Sequence, residues 1–347
     1  MTALLRLVLC ALLALLPVQA TAQEATVRIG GGDTAFLMRS TTDIAIIRPV
    51  IERFAERNPE LAITYEQWGS NALFARTRED CRGDGPGADA VFSSAVQQMV
   101  WLVNAACAQP HRSAATLALP ATRRWRDELW GVTTEPAVIV YNKRLLRADA
   151  VPQNRFALLD AMRARPEFYR RKIATYDIAA SGLGYLFAYS DSLEATTFGG
   201  LMESFARIDA VATCCSAEII AGVARGEYLI AYNVLGSYVS NAASPEVGVI
   251  LPRDYTLFLS RAYLIPRKAR RGEMAARLLD FLLSPEAQGL LLRAGLVTDL
   301  EDAETSLPPS ARRAIPLSPA LLVALDANRR ALMLEFWRDT FEEDTLP

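Results

Sequence analysis

Hydroxyl and glycine residues gather at four places in this sequence: Ser40-Thr41-Thr42, Ser93-Ser94, Ser181-Gly182-Leu183-Gly184-Tyr185, and Asn233 with Ser237-Tyr238. Each follows an apolar run and precedes a helical pattern, so side-chain hydroxyls and unpaired main-chain amides meet at helix starts. Such groups hold an anion through hydrogen bonds and leave its covalent bonds alone. The glycines let the backbone come close, and Tyr185, one turn in, is placed to close over a guest. Thr134, beside Glu135, is a further hydroxyl that either lines a cleft or pins the chain. Every one of these residues also has a plainer use, because Ser and Thr ahead of a helix commonly cap it.

Groups that would make an enzyme are scarce. His111 is the one histidine, and Gly-x-Ser-x-Gly, Ser-x-x-Lys and His-Glu-x-x-His do not occur, so nucleophile–base pairs and zinc hydrolysis lack support. Gly30-Gly31-Gly32 is not completed by Gly-Lys-Ser/Thr and reads as a turn. His111, after Gln109-Pro110, reads as a solvated loop side chain. No catalytic residue, metal ligand or cofactor is expected.

Residues 1–22 hold Arg6, an apolar run over 7–16, Pro17 and then Ala20-Thr21-Ala22. That is the pattern of a cleavable export leader, too short in its apolar part to span a bilayer. A periplasmic location is expected. Removing it leaves 325 of 347 residues, enough for two compact units. The remaining 36 basic residues (37 less Arg6) face 39 acidic ones, a net charge of −3, which gives no electrostatic footprint for nucleic acid. Arginines outnumber lysines 34 to 3, supplying forked donors suited to carboxylate or phosphate; Arg39, Arg76 and Arg261 are the candidate charge partners.

Four cysteines follow the leader: Cys81, Cys107, Cys214 and Cys215. An oxidising compartment permits disulfides, and four cysteines allow three pairings. Cys81 with Cys107 is the favoured one, because Cys214 and Cys215 are adjacent and could join only in a strained vicinal ring. A four-thiolate metal site would want Cys-x-x-Cys spacing, which is missing.

These residues must be positioned by strands that alternate with helices. Residues 25–29, 61–65, 88–92, 137–142, 172–175 and 228–233 read as strands, and helical stripes lie between them. Ile44, Ile47, Ile51 and Phe54 form one such stripe, with Pro49 expected to kink it and Ser40/Asp43 spaced as a capping box. The fold class is α/β, with mostly parallel sheets flanked by helices. Residues 137–142 and 247–252 read as two strands crossing between lobes, and the chain from Arg271 onward as helical and packed on the first lobe.

Residues 88–95 (ADAVFSSA), 131–142 (GVTTEPAVIVYN), 225–238 (RGEYLIAYNVLGSY) and 262–288, ending LLDFLLSPEAQ, resemble in order and spacing the type 2 periplasmic solute-binding proteins of the ferric-iron, polyamine and phosphoglycerate-related group. The resemblance implies two α/β lobes joined by two crossing strands and closing on a ligand by hinge motion. The lobes are expected at 23–136 with 253–347 and at 137–252. Ser40, Thr41, Thr42, Ser93, Ser94, Thr134, Ser181, Gly182, Tyr185, Asn233, Ser237 and Tyr238 are then the expected ligand-binding set, since ligands sit beyond strand carboxyl ends. The expected partners are a small carboxylate- or phosphate-bearing anion and the membrane permease of an ABC transporter, or else a membrane sensor kinase; a monomer is expected. Ferric relatives use neighbouring tyrosines, whereas Tyr232 and Tyr238 stand apart here, which makes iron or an iron chelate the alternative ligand.

Overall fold

The computed structural model describes residues 23–242, 244–298 and 307–341. The leader lies outside the described residues. The first part runs β1 (Gln23–Ile29), β2 (Thr34–Ser40), α1 (Ile44–Arg57), β3 (Leu61–Trp68), α2 (Ser70–Arg82), β4 (Ala90–Ser93), α3 (Val96–Asn104), α4 (Ala114–Ala118), β5 (Arg124–Trp125) and β6 (Leu129–Gly131). Next come β7 (Glu135–Asn142), α5 (Arg155–Ala164), α6 (Pro166–Tyr169), β8 (Ile173–Tyr176), α7 (Gly182–Glu194), α8 (Phe198–Arg207), β9 (Val211–Thr213), α9 (Ser216–Arg225), β10 (Ile230–Leu235), α10 (Ser237–Ala242) and β11 (Val247–Ile250). The last part is β12 (Thr256–Leu259), β13 (Ala262–Leu264), α11 (Gly272–Leu282), α12 (Pro285–Arg293), β14 (Arg312–Ala314) and α13 (Ala327–Phe341).

Two sheets result, with strand orders β1-β3-β2-β4-β13-β6-β5 and β14-β12-β7-β10-β8-β9, where β11 also pairs with β7. Each contains a parallel trio, β3-β2-β4 in the first and β10-β8-β9 in the second. β2 has no counterpart in the sequence reading. Its run TAFLMRS neither alternates nor stays apolar, yet it sits between β3 and β4 and is buried on both faces at its carboxyl end.

Apolar spacing decides what the helices cover. Ile46, Ile47, Val50, Ile51 and Phe54 of α1 pack on the first sheet with Leu278, Leu279 and Leu282 of α11. α1 runs on through Pro49. Its start differs from the expected capping box: Asp43 makes no side-chain cap, and the Ile44 N–H donates to Gln67 Oε1 at 2.9 Å, so β3 supplies the cap.

The crossings also differ in part from expectation. β6 leads through Val132, Thr133 and Thr134 into β7, as read, but β11 stays within the second sheet beside β7. The return is made by β12 and β13, because Phe258 and Leu259 pair with Pro136 and Glu135 while Ala262 already pairs with Gly131 and Ser93. Beyond it, α11 and α12 join the first core as expected, whereas the end of the chain does not. β14 pairs with β12, α13 packs on α8, and Trp337 lies in the second core with Phe205 and Tyr232. The tail thus returns to the second sheet, where Trp337 and Phe341 meet the apolar stripe of α8.

Cys81 and Cys107 are bonded, with Cα atoms 5.4 Å apart, joining the end of α2 to the chain after α3. Cys214 and Cys215 are bonded to each other as well. At the crossing, Arg261 is fully buried and its Nε and Nη2 donate to the two oxygens of Glu135 at 2.8 and 3.1 Å. Its Nη1 donates to Thr42 Oγ1 at 3.0 Å, and Glu135 also accepts from Thr133 Oγ1 at 2.7 Å and Ser237 Oγ at 2.6 Å. Breaking a buried pair leaves an uncompensated charge. Glu135→Gln should therefore lower the unfolding free energy by about 3–5 kcal/mol in urea titrations; unchanged stability would show that the crossing does not rest on this pair.

Candidate functional site

A cavity of about 300 Å³ lies between the sheets, at the carboxyl ends of β2, β3 and β4 on one side and β8, β9 and β10 on the other. Its size falls at the small end of ligand pockets. The first wall presents Glu24, Thr41, Asp43, Trp68, Ser70 and Ser94, and the second Tyr176, Ser181, Cys214, Cys215, Ser216 and Tyr238, among others. Thr41 and Ser94 are joined: the Ser94 N–H donates to Thr41 Oγ1 at 2.9 Å and the two hydroxyl oxygens are 3.1 Å apart. Gln67 Nε2 bridges Glu24 and Asp43 at 2.9 and 3.3 Å, holding two carboxylates on one wall.

Helix starts supply the donors. α2 begins after Gly69, which has no side chain to cap it, and α9 begins after Cys215, whose side chain makes no cap bond. Their first-turn N–H groups have no partner within the helix and point out of its positive end. α7 starts here too, although Ser181 Oγ accepts from the Gly184 N–H at 3.0 Å and occupies one of its donors.

Two phenols complete the walls. Burial pushes Tyr176 up to about 12, a shift eased only partly by its contact with Ser216 Oγ and the Leu235 N–H. Tyr238 is raised still further, mainly by desolvation and also by Asp43, against the pull of Arg261; its hydroxyl donates to Asp43 Oδ1 at 3.0 Å across the gap between the sheets. Both stay neutral hydrogen-bonding groups.

Of the twelve residues expected to bind ligand, Thr41, Ser94, Ser181 and Tyr238 line the cavity, one from each of the four clusters. The other eight are engaged elsewhere. Ser40 and Ser93 accept from the N–H groups of Thr42 and Ala95 within their own turns. Thr42 and Ser237 belong to the Arg261–Glu135 network. Thr134 is tied to Leu296 and Thr298 through its main chain and pins the crossing. Tyr185 points the other way and donates to the Ala324 carbonyl at 2.6 Å. Asn233 turns into the second core, where its amide donates to Asp191 at 2.9 Å.

Gly182 serves contact between the two sides. Its N–H donates to Ser70 Oγ at 2.8 Å, its carbonyl accepts from Gln97 Nε2 at 2.6 Å, and a Cβ there would stand 2.6 Å from Gln98 Nε2 and 3.0 Å from Asn71 Oδ1. Asn71 also donates to the Ala179 and Ala180 carbonyls, so α2 and α3 grip the start of α7.

None of the three candidate arginines lines the cavity, because each has found a carboxylate. Arg39 pairs with Glu66 and Asp80, Arg76 with Glu79 and Asp80, and Arg261 with Glu135. His111 stands 3.2 Å from Asp280, part-buried rather than solvated. Sequence reasoning missed the turns at Trp68-Gly69-Ser70 and Cys214–Ala217, although the strand-end rule that chose the other loops selects these too. Glu24 and Asp43 carried no such signal.

The family model of bacterial extracellular solute-binding proteins matches residues 39–297. The chain belongs to that family. Among solved structures, the substrate-binding protein of an ABC transporter from Agrobacterium tumefaciens is similar over 93% of this chain and 100% of its own, with 29% identity and a TM-score of 0.86. AfuA from Actinobacillus pleuropneumoniae, solved with fructose-6-phosphate, shares 15% identity over 90% of this chain and 100% of its own, at a TM-score of 0.69. Iron-bound HitA from Pseudomonas aeruginosa shares 15% over 88% and 99%, at 0.65. No curated protein matches the sequence at a significant level. The two-lobed architecture of these solute-binding proteins is the one seen here.

The raised phenols set an alkaline limit to stability. Tyr176 ordinarily ionises near 10 and here near 12, so the folded state keeps a proton that the unfolded chain releases between those values. Stability held below pH 10 should fall as pH rises from 10 to 12. Tyr176→Phe should flatten part of that fall in urea titrations repeated across the range, and an unaltered slope would count against a buried neutral phenol.

Proposed function

We propose that this protein is the periplasmic binding component of an ABC transporter, taking one small organic acid into the cavity by closure of the lobes and presenting it to a membrane permease. The observation that carries this reading is the meeting of the α2 and α9 starts, one from each side, around hydroxyls of Thr41, Ser94, Ser181 and Ser216. Main-chain N–H groups at helix starts favour an anionic group, and here they stand in for the guanidinium that the walls lack. Because both sides contribute donors, the ligand bridges them and stabilises the closed form. The grip of Ser70, Asn71 and Gln97 on the Ala179–Gly182 stretch adds direct bonds that form only in that form.

The first wall qualifies the ligand. Glu24 and Asp43 oppose a second negative charge nearby and suit an ammonium group, with Trp68 beside them. A ligand with an acid at one end and an amine at the other satisfies both walls. Ferric iron is less well served. Tyr176 and Tyr238 are held as neutral phenols, while Tyr232 donates to Asp191 at 2.6 Å beside buried Arg155 and faces away from the cavity.

Thermal melts with a matched series test the reading: ω-amino acids of two to four carbons, the dicarboxylates of the same length, and the diamines. The amino acids should raise the melting temperature by RT ln(1 + [L]/Kd) in free-energy terms, and Ser94→Ala should weaken their binding about fivefold to tenfold, the net worth of one hydrogen bond. Binding of dicarboxylates alone would remove the amine from the proposal, and binding of diamines alone would remove the acid. Gly182→Ala should shift the free protein toward an open form, seen as a larger radius of gyration in small-angle scattering.

A further inference from the structure

Cys214 and Cys215 form a disulfide between neighbours, and both lie in the wall of the cavity. The other bonded pair is set apart from it by burial: Cys81 and Cys107 are 9% and 3% exposed, whereas Cys214 and Cys215 are both exposed. A reductant that enters where the ligand enters therefore reaches one disulfide and not the other. Cys215 is also the residue that precedes α9, in the position from which a side chain ordinarily caps a helix. The bonded Cys215 makes no side-chain cap, and the first turn of α9, Ser216 to Glu218, lines the cavity.

We propose that Cys214–Cys215 is a thiol-exchange site built into the ligand cavity, open to dithiols when the cavity is empty, and that its reduction weakens ligand binding. This rests on the reading that an acid group sits at the start of α9. In the exchange, a thiolate of the dithiol attacks one sulfur, the Cys214–Cys215 bond breaks and a mixed disulfide forms. The second thiol of the reagent then displaces the cysteine, leaving as a cyclic disulfide. Two electrons and two protons pass to the protein, and Cys214 and Cys215 become thiols. The freed Cys215 sulfur turns onto the first-turn N–H groups of α9 and competes with the ligand for them. The chain between β9 and α9, no longer closed in a ring, also loses its fixed position. By reciprocity, a ligand that binds the oxidised form more tightly protects the bond from reduction by the same factor.

The experiment uses the full secreted protein, a mild dithiothreitol titration, alkylation and peptide mass spectrometry, with 4-aminobutyrate as the probe in thermal melts. Cys214 and Cys215 should be alkylated well before Cys81 and Cys107, and the probe should bind the reduced protein about fivefold more weakly, the loss of one hydrogen bond. The double variant Cys214→Ser and Cys215→Ser should bind as weakly and no longer respond to dithiol, with the Cys81–Cys107 bond still intact. Free thiols at 214 and 215 in protein isolated without reductant, or release of all four cysteines together, would overturn the exchange site. Equal probe binding by oxidised and reduced protein would overturn the coupling and leave the ligand reading standing. A probe that binds neither form, while the disulfide is still released selectively, would sink that ligand reading and the coupling with it.

Discussion

Arg261 cannot lose its proton and has no access to water, so the chain around it is arranged to meet its charge. It sits where β12 becomes β13, and Glu135, its counter-charge, opens β7 on the neighbouring crossing strand. The two segments that join the lobes are thereby fastened at one point. Thr42 ties the same guanidinium to the loop after β2, and Ser237 ties the same carboxylate to the start of α10. Tyr238, next in sequence, lies near the Arg261 guanidinium and reaches Asp43. A single buried charge pair thus orients loops from both walls of the cavity, which is why Thr42 and Ser237, expected to touch a ligand, face Arg261 and Glu135 instead.

With the crossing fixed, the cavity follows from strand direction. The parallel trio of each sheet points its carboxyl ends at the gap, so the helices that follow must begin there, and their unpaired N–H groups are the cheapest source of positive potential in the wall. Guanidinium groups are spared for structure. The chain has 34 arginines, yet the three that could have served as charge partners, Arg39, Arg76 and Arg261, all pair with carboxylates. The second core shows the same habit, with Arg155 buried among Asp191, Tyr232 and Tyr255. That cluster draws Tyr232 and Asn233 inward and leaves Tyr238 as the aromatic of this segment in the cavity wall.

The walls are unlike in charge, and proteins that share this fold differ in what they were solved with. One relative of this fold was solved with a sugar phosphate and another with iron. Hydroxyls and helix starts at strand ends come with the scaffold, and the residues added on top differ from one protein to the next. Here those additions are Glu24 and Asp43 on one side and a disulfide on the other.

Much was legible from residue order. Alternating strand and helix patterns dictate an α/β fold, Gly and Ser after strands mark helix starts, and the spacing of Cys81 and Cys107 allows a bridge; each of these depends on neighbours within a few dozen residues. All four hydroxyl clusters reach the cavity, although only one of the residues expected to bind ligand lines it from each. Which one does so depends on contacts across more than a hundred positions, such as Ser237 with Glu135 or Arg261 with Thr42, and no local period encodes those. The tail tells the same story: residues 321–341 read as helical in sequence, but the contacts of Phe336 and Phe341 with Phe198 and Phe205 of α8 decide that they finish on the second core. Sequence sets which groups are available and how the backbone runs locally. Packing, which must match every buried charge and fill every apolar groove, decides which groups remain free to meet a ligand.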